Sequence, residues 1–249
     1  MHKILLHLFK VGAINKSQLN PFMPTLFKDI VLRSCLWKAG KKPALIRTLA
    51  TELFVILLNL YTAEEATVFI QPLFTTDVIP SLCSNLDDDE QATRQNCLAC
   101  ISFLFGCKLW DAESIKKVYP ELLKRMDDAK DQVRIETANV WALFFPAVQQ
   151  WISSMSHIRA QLPVEDQDKM TVVQDGVVIE LGLDYGHYET IVDGLLIHMD
   201  DANHLVQESV CAALVSGKQT VFDPVMIRSK AQGALSKHRS SIYLEKLLS

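Results

Sequence analysis

The sequence predicts an all-α protein, an α-solenoid (superhelix) of antiparallel helix pairs with one irregular insertion. Two observations support this fold class. A short phrase with two adjacent acids recurs along the chain, and each copy is followed by apolar residues at helical spacing. Strand-like alternation is confined to residues 170–181. A helical unit that repeats at a fixed period is typical of stacked repeat architectures, so the period of the phrase bears directly on the fold.

The period is clearest between residues 80–95 and residues 120–135. The prolines, a leucine, both acids and the arginines Arg94 and Arg134 all coincide at an offset of 40. A third copy of the phrase begins at Leu196 and matches the second at an offset of 73. The unit is therefore about 40 residues long, as in several helical repeats.

The longer second offset leaves a surplus of 33 residues (73 minus 40), which falls in residues 153–186. This segment has no helical period and predicts an irregular insertion between repeats. Within it, the run around Asp175 and Gly176 has two equally good interpretations: a β-hairpin with an Asp-Gly turn, or a disordered acidic loop.

Each unit predicts two helices joined by a tight turn. In the best copy, one face of the first helix contains Val118, Leu122, Leu123 and Met126. The second helix has a stripe several turns long, and Pro146 inside it predicts a kink or an end near Phe145. The stripe consists of Val133, Thr137, Val140, Trp141, Phe144, Phe145 and Val148.

Weaker copies flank these units. Upstream, Gly40 and Pro43 predict a loop, and the following "IRTLA" predicts the start of a second helix in which Arg47 takes the part of Arg134. Residues 223–248 predict a final helix pair, and residues 2–14 resemble the second helix of a unit. We therefore expect five to six helix pairs forming a single solenoid over residues 1–249, the C-terminal part of a longer array.

The repeated acid pairs could have either a chemical role or a structural role. Paired carboxylates can form a metal site or an acid/base dyad, but such sites are unique and enclosed, whereas these pairs recur in every unit. An aspartate that precedes a helix can accept hydrogen bonds from the free N–H groups at its start, and its negative charge interacts favourably with the helix dipole. An arginine seven residues after the first acid can reach a carboxylate of its own or a neighbouring turn. The predicted turn and ladder residues are Asp87, Arg94, Asp127, Arg134 and Asp200.

Other candidates have structural explanations as well. Cys97 and Cys100 have the spacing of half a zinc site, but no second pair follows, so buried thiols are expected. A metal site drawn from Asp200, Asp201 and His204 has no counterpart in the sister units. The four tryptophans are expected to pack in the core, and any exposed one would be a binding hot spot. We expect no catalytic, cofactor-binding or metal residues and no cofactor.

The composition of the chain limits the classes of partner that we expect it to bind. The net charge of −4 and the isoelectric point near 6.0 give no reason to expect nucleic acid. The most apolar run, residues 53–61, is shorter than the roughly 20 residues of a membrane span. The six cysteines fall mostly in apolar helical stretches, as reduced thiols do. These features predict a cytoplasmic protein that binds neither nucleic acid nor membrane.

The pattern of the unit resembles that of the HEAT-repeat family, with an Asp after the first helix and "VR" at the start of the second. The phrases "VYPELLKRMDD", "LLIHMDDANHLVQESV" and "KHRSSIYLEKLL" are similar to the C-terminal repeats of HEAT-repeat factors that preassemble axonemal dynein arms. Gln207 stands where that pattern favours arginine, which predicts a weaker ladder there.

The resemblance implies a non-catalytic, protein-binding scaffold in the cytoplasm. Its implied partners are dynein heavy and intermediate chains, chaperones and other assembly factors. An alternative is a HEAT-repeat transport receptor or regulatory subunit, similar to a karyopherin or a phosphatase scaffold. An enzyme with its site in the insertion is disfavoured, because that segment lacks a convincing arrangement of nucleophiles and bases.

Overall fold

The computed structural model describes residues 2–166, 170–174, 177–235 and 241–248. By their contacts the residues divide into two compact units, unit 1 (Met1–Leu109) and unit 2 (Trp110–Ser249). The described residues are predominantly helical, with a single pair of short strands, so the predicted all-α class is confirmed. The superhelical arrangement of the helix pairs stays a prediction.

Unit 1 is built from α-helices with shorter 3₁₀ and π segments between them. The segments Asn20–Phe22 and Gln71–Leu73 are 3₁₀ helices, and Leu26–Leu32 and Phe74–Val78 are π helices. Helix α4 packs against α1 and α7, and α6 packs against α7. The α-helices are α1 (His2–Lys10), α2 (Lys16–Leu19), α3 (Met23–Thr25), α4 (Lys41–Asn59), α5 (Ala63–Ile70), α6 (Ile79–Asn85) and α7 (Gln91–Phe105).

Unit 2 has two layers of helices. Helix α11 packs against α8 and α13 in one layer, and α12 packs against α9 and α14 in the other. Two 3₁₀ segments, Val164–Asp166 and His198–Asp200, join the larger elements. The α-helices are α8 (Ala112–Met126), α9 (Asp131–Ser154), α10 (Ser156–Gln161), α11 (Tyr185–Ile197), α12 (His204–Thr220), α13 (Pro224–Leu235) and α14 (Ser241–Leu248).

The apolar stripes form the core as their spacing predicts. Every residue of the predicted α9 stripe is buried. On the predicted face of α8, Val118, Leu122 and Met126 are buried, whereas Leu123 is half-buried. Helix α8 begins with a capping box, in which the Asp111 carboxylate accepts the backbone N–H of Ser114 and the Ser114 hydroxyl accepts the backbone N–H of Asp111. The stripe and the cap together fix both the face and the start of the helix.

Of the two outcomes predicted for Pro146, an end of the helix near Phe145 is wrong, because α9 continues through Pro146 to Ser154, and a kink there stays a prediction. A proline in a helix removes the N–H that would bond the carbonyl four residues earlier, here that of Ala142. In this structure the Ser216 hydroxyl of α12 donates a 2.8 Å hydrogen bond to that carbonyl. The neighbouring helix therefore satisfies the group that Pro146 leaves without a partner.

The start of α4 also differs from the prediction. The helix begins at Lys41, several residues before Arg47, so that Pro43 lies in its first turn rather than in a loop. Proline is tolerated there because the first N–H groups of a helix have no carbonyl partner within the helix. Gly40 precedes the helix with φ of 108°, a backbone conformation that favours glycine.

The predicted insertion contains more regular structure than its sequence suggests. It includes the end of α9, the whole of α10 and the first residues of α11. Strands β1 (Thr171–Gln174) and β2 (Val177–Glu180) form an antiparallel pair in which Thr171 faces Glu180. Of the two interpretations of this segment, the hairpin is the one observed; its Asp-Gly turn lies outside the described residues.

One helical stretch of unit 1, Ala63–Asn85, is long and apolar enough to cross a membrane by length and composition. Helices in the core of a soluble protein can meet the same criteria, so this single stretch is weak support for a membrane span. In the structure it is divided into α, 3₁₀ and π segments, with prolines at positions 72 and 80.

Candidate functional site

The turns between paired helices share one hydrogen-bonding pattern, built on the second aspartate of each acid pair. Its carboxylate accepts the backbone N–H of the residue two positions later, which is the residue that precedes the next helix. The bonds are Asp88 to Glu90 at 2.9 Å, Asp128 to Lys130 at 2.9 Å and Asp201 to Asn203 at 2.8 Å. This geometry is an Asx turn, and it sets the direction in which each second helix leaves the turn.

A long polar side chain in the following helix closes the same turn. Arg94 donates through Nη1 to the backbone carbonyl of Asp88, and Arg134 does the same to Asp128, both at 2.7 Å. Gln207 donates through Nε2 to the carbonyl of Asp201, also at 2.7 Å. Gln207 thus reproduces the bond within its turn, although a neutral amide lacks the further donors of a guanidinium.

The arginines also connect one helix pair to the next within each unit. In unit 1, Nε of Arg47 donates to the Asp88 carboxylate, and Nη1 donates to the Lys38 carbonyl at 2.7 Å. In unit 2, Nε and Nη2 of Arg134 donate to the two carboxylate oxygens of Asp201 at 2.7 and 3.0 Å. A fork of two parallel bonds to a carboxylate is the strongest arrangement available to arginine.

These ion pairs are shielded from water. The Arg47 and Asp88 side chains are 3% and 1% exposed, and those of Arg134 and Asp201 are 13% and 8% exposed. A second contact joins the same turns of unit 2, since the Asn203 side chain donates to Asp131 at 2.9 Å. The turns therefore form a buried polar ladder, defined here as Arg47 with Asp88 in unit 1 and Arg134 with Asp201 in unit 2.

The predicted site residues divide between the ladder and its surroundings. Arg94 and Arg134 make the turn bonds described above, whereas Asp87, Asp127 and Asp200 are the exposed first members of their pairs. Asp127 is the residue at which α8 ends, and its side chain is 81% exposed. Sequence reasoning missed Asp88, Asp128 and Asp201, because a repeated pair of acids does not show which one points back into the turn.

Electrostatics in the unit 2 turns follow from these bonds. The hydrogen bond to Asp201 raises the pKa of Arg134, and the bond from Asn203, followed by the charge of Arg134, lowers the pKa of Asp131. His198 lies 3.7 Å from the Asp127 carboxylate, yet burial lowers the pKa of its imidazole and outweighs the nearby acids. The ladder arginine is therefore held in its charged form, while the folded state disfavours a charged His198.

The residues considered above as metal ligands have structural roles: the two cysteines are buried in the core, and Asp201 forms part of a turn. Burial raises the pKa of Cys97 and Cys100 well above 9.0, which disfavours the thiolate needed for metal binding or nucleophilic attack. The Asp201 carboxylate is already bonded to Arg134 and Asn203. Across residues 2–166, 170–174, 177–235 and 241–248, no group of three or more His, Cys, Asp or Glu side chains is placed to hold a metal ion.

The tryptophans separate into three core residues and one surface residue. Trp110, Trp141 and Trp151 are buried, whereas Trp37 is 64% exposed. The Arg47 guanidinium lies 5.9 Å from the centre of the Trp37 ring, within the range of a cation–π contact. The ladder in unit 1 thus supports an exposed aromatic side chain, of the kind that often dominates binding energy.

Comparison with known proteins shows which proteins the chain is similar to. No protein-family model matches the chain. Over 236 residues, which are 94% of the chain, it is 25% identical to a Xenopus laevis protein named dynein axonemal assembly factor 5. The chain is similar to dynein axonemal assembly factor 5. The mouse and human proteins of that name are 28% and 26% identical to it over 238 residues.

The predicted resemblance to dynein arm assembly factors is therefore confirmed, and its HEAT-repeat part stays a prediction. The chain spans about a quarter of each dynein axonemal assembly factor 5 protein, 24% of their length. The matched share includes most residues of both units, so the similarity does not depend on the turn phrases alone.

Proposed function

We propose that the chain is a non-catalytic, protein-binding scaffold of HEAT-type helix pairs that takes part in the assembly of axonemal dynein. The observation on which the proposal rests is the match of 94% of the chain to three proteins named dynein axonemal assembly factor 5. The resemblance of the turn phrases to the same factors points in the same direction.

The physical basis of such a scaffold is a surface that keeps its shape without a ligand. Helices in neighbouring pairs of unit 2 pack side by side, and the Arg134–Asp201 bonds fix the spacing of their turns. In unit 1, Arg47 and Asp88 do the same. A stack of helices with fixed turns presents side chains from several helices to one partner, which suits broad contact with large proteins.

The partners proposed for this surface are dynein heavy and intermediate chains, together with chaperones or other assembly factors, in the cytoplasm. A scaffold would hold these chains in a geometry that favours their association and would leave each of them chemically unchanged. The protein is accordingly proposed not to be an enzyme.

Removing the native protein from cells that build motile cilia and then re-expressing it would test this function. Loss of the native protein should remove dynein arms from axonemes, as seen by electron microscopy, and re-expression should restore them. Affinity purification of the tagged native protein from the cytoplasmic fraction should recover dynein heavy and intermediate chains. Intact arms, with recovery of nuclear-import cargo or phosphatase subunits instead, would favour a transport receptor or regulatory scaffold and refute the proposal.

A further inference from the structure

We draw no further inference here: the strongest candidate, the cavity of about 420 Å³ beside the exposed Trp37 in unit 1, is lined by as many acids as cations, and nothing in the part of the chain that the structure describes shows what covers it.

Discussion

The substitution Arg134→Gln would separate the two roles of the ladder arginine. Gln207 shows what a glutamine does at the equivalent position: it keeps the 2.7 Å bond to the turn carbonyl. Arg134→Gln should therefore keep the bond to the Asp128 carbonyl and lose both bonds to the Asp201 carboxylate. The variant removes the Arg134–Asp201 connection between helix pairs and the 2.9 Å bond from Arg134 to Asp131, while it leaves the turn closed and the Asn203–Asp131 contact in place.

The expected loss follows from the observed contacts. The two bonds to Asp201 are 2.7 and 3.0 Å long, and hydrogen bonds to charged groups contribute roughly 1.5–3 kcal/mol each. Part of this is offset, because solvent reaches Arg134 and because Asp201 keeps its 2.8 Å bond from the Asn203 backbone. We expect the free energy of unfolding to fall by about 2 kcal/mol, a large share of a typical stability of about 5–15 kcal/mol.

Urea unfolding in a double-mutant cycle would measure this contribution. The cycle combines Arg134→Gln with Asp201→Asn, and circular dichroism and tryptophan fluorescence follow unfolding, since Trp141 and Trp151 report on unit 2. Gln207→Ala serves as the reference for a neutral turn bond and should cost about 1 kcal/mol. A coupling energy below about 0.5 kcal/mol would show that the ladder contributes little to stability, and the scaffold argument built on it would fail.

Three other predictions concern packing and pH, and urea unfolding is the measurement for each. Ser216→Ala should cost about 1 kcal/mol, because a half-buried carbonyl loses its donor, and the loss should disappear in a Pro146→Ala background that restores the backbone N–H; an equal loss in both backgrounds would contradict this account. Gly217→Ala should destabilise the protein by about 1–3 kcal/mol, since its Cβ would lie 2.2 Å from a phenylalanine ring carbon, whereas Gly233→Ala meets open space and should be neutral or stabilising; similar effects of the two substitutions would count against the packing. Burial holds the pKa of His198 below its ordinary value of 6.5, so the unfolded chain binds its proton more readily and stability should fall as pH drops below 6.5. His198→Gln should make that decline shallower, and an unchanged slope would refute the role of this group.

The identity of the ladder residues shows where sequence reasoning stops. The offset of 40 aligns Arg94 with Arg134 and both acids of each pair, so the sequence was sufficient to predict turns with capping acids and a reaching arginine. It did not distinguish Asp127 from Asp128. That choice depends on the backbone angles of the four-residue turn between α8 and α9, which place one carboxylate over the next helix and the other in solvent.

Pro146 and Trp37 show the same limit for packing. The sequence correctly placed both within or beside apolar stripes, but a proline ends a helix only if no other group satisfies the freed carbonyl. Here Ser216, which is 70 residues later in the chain (216 minus 146), supplies that group. Likewise, four tryptophans in similar local settings are separated into core and surface only by which helices pack over them.

The sequence alone was sufficient to predict the helical class, the offset of 40 residues between turn phrases and the positions of the turns, and it left the hairpin as one of two open interpretations. These follow from local preferences and from periodic apolar residues, which act over a few neighbours along the chain. The similarity to dynein arm assembly factors came separately, from the resemblance of the turn phrases. The tertiary structure alone decided that Arg134 reaches Asp201, that α9 runs through Pro146 and that Trp37 is exposed to solvent. These depend on contacts between residues far apart in sequence, because burial and hydrogen-bond partners are set only when the helices pack.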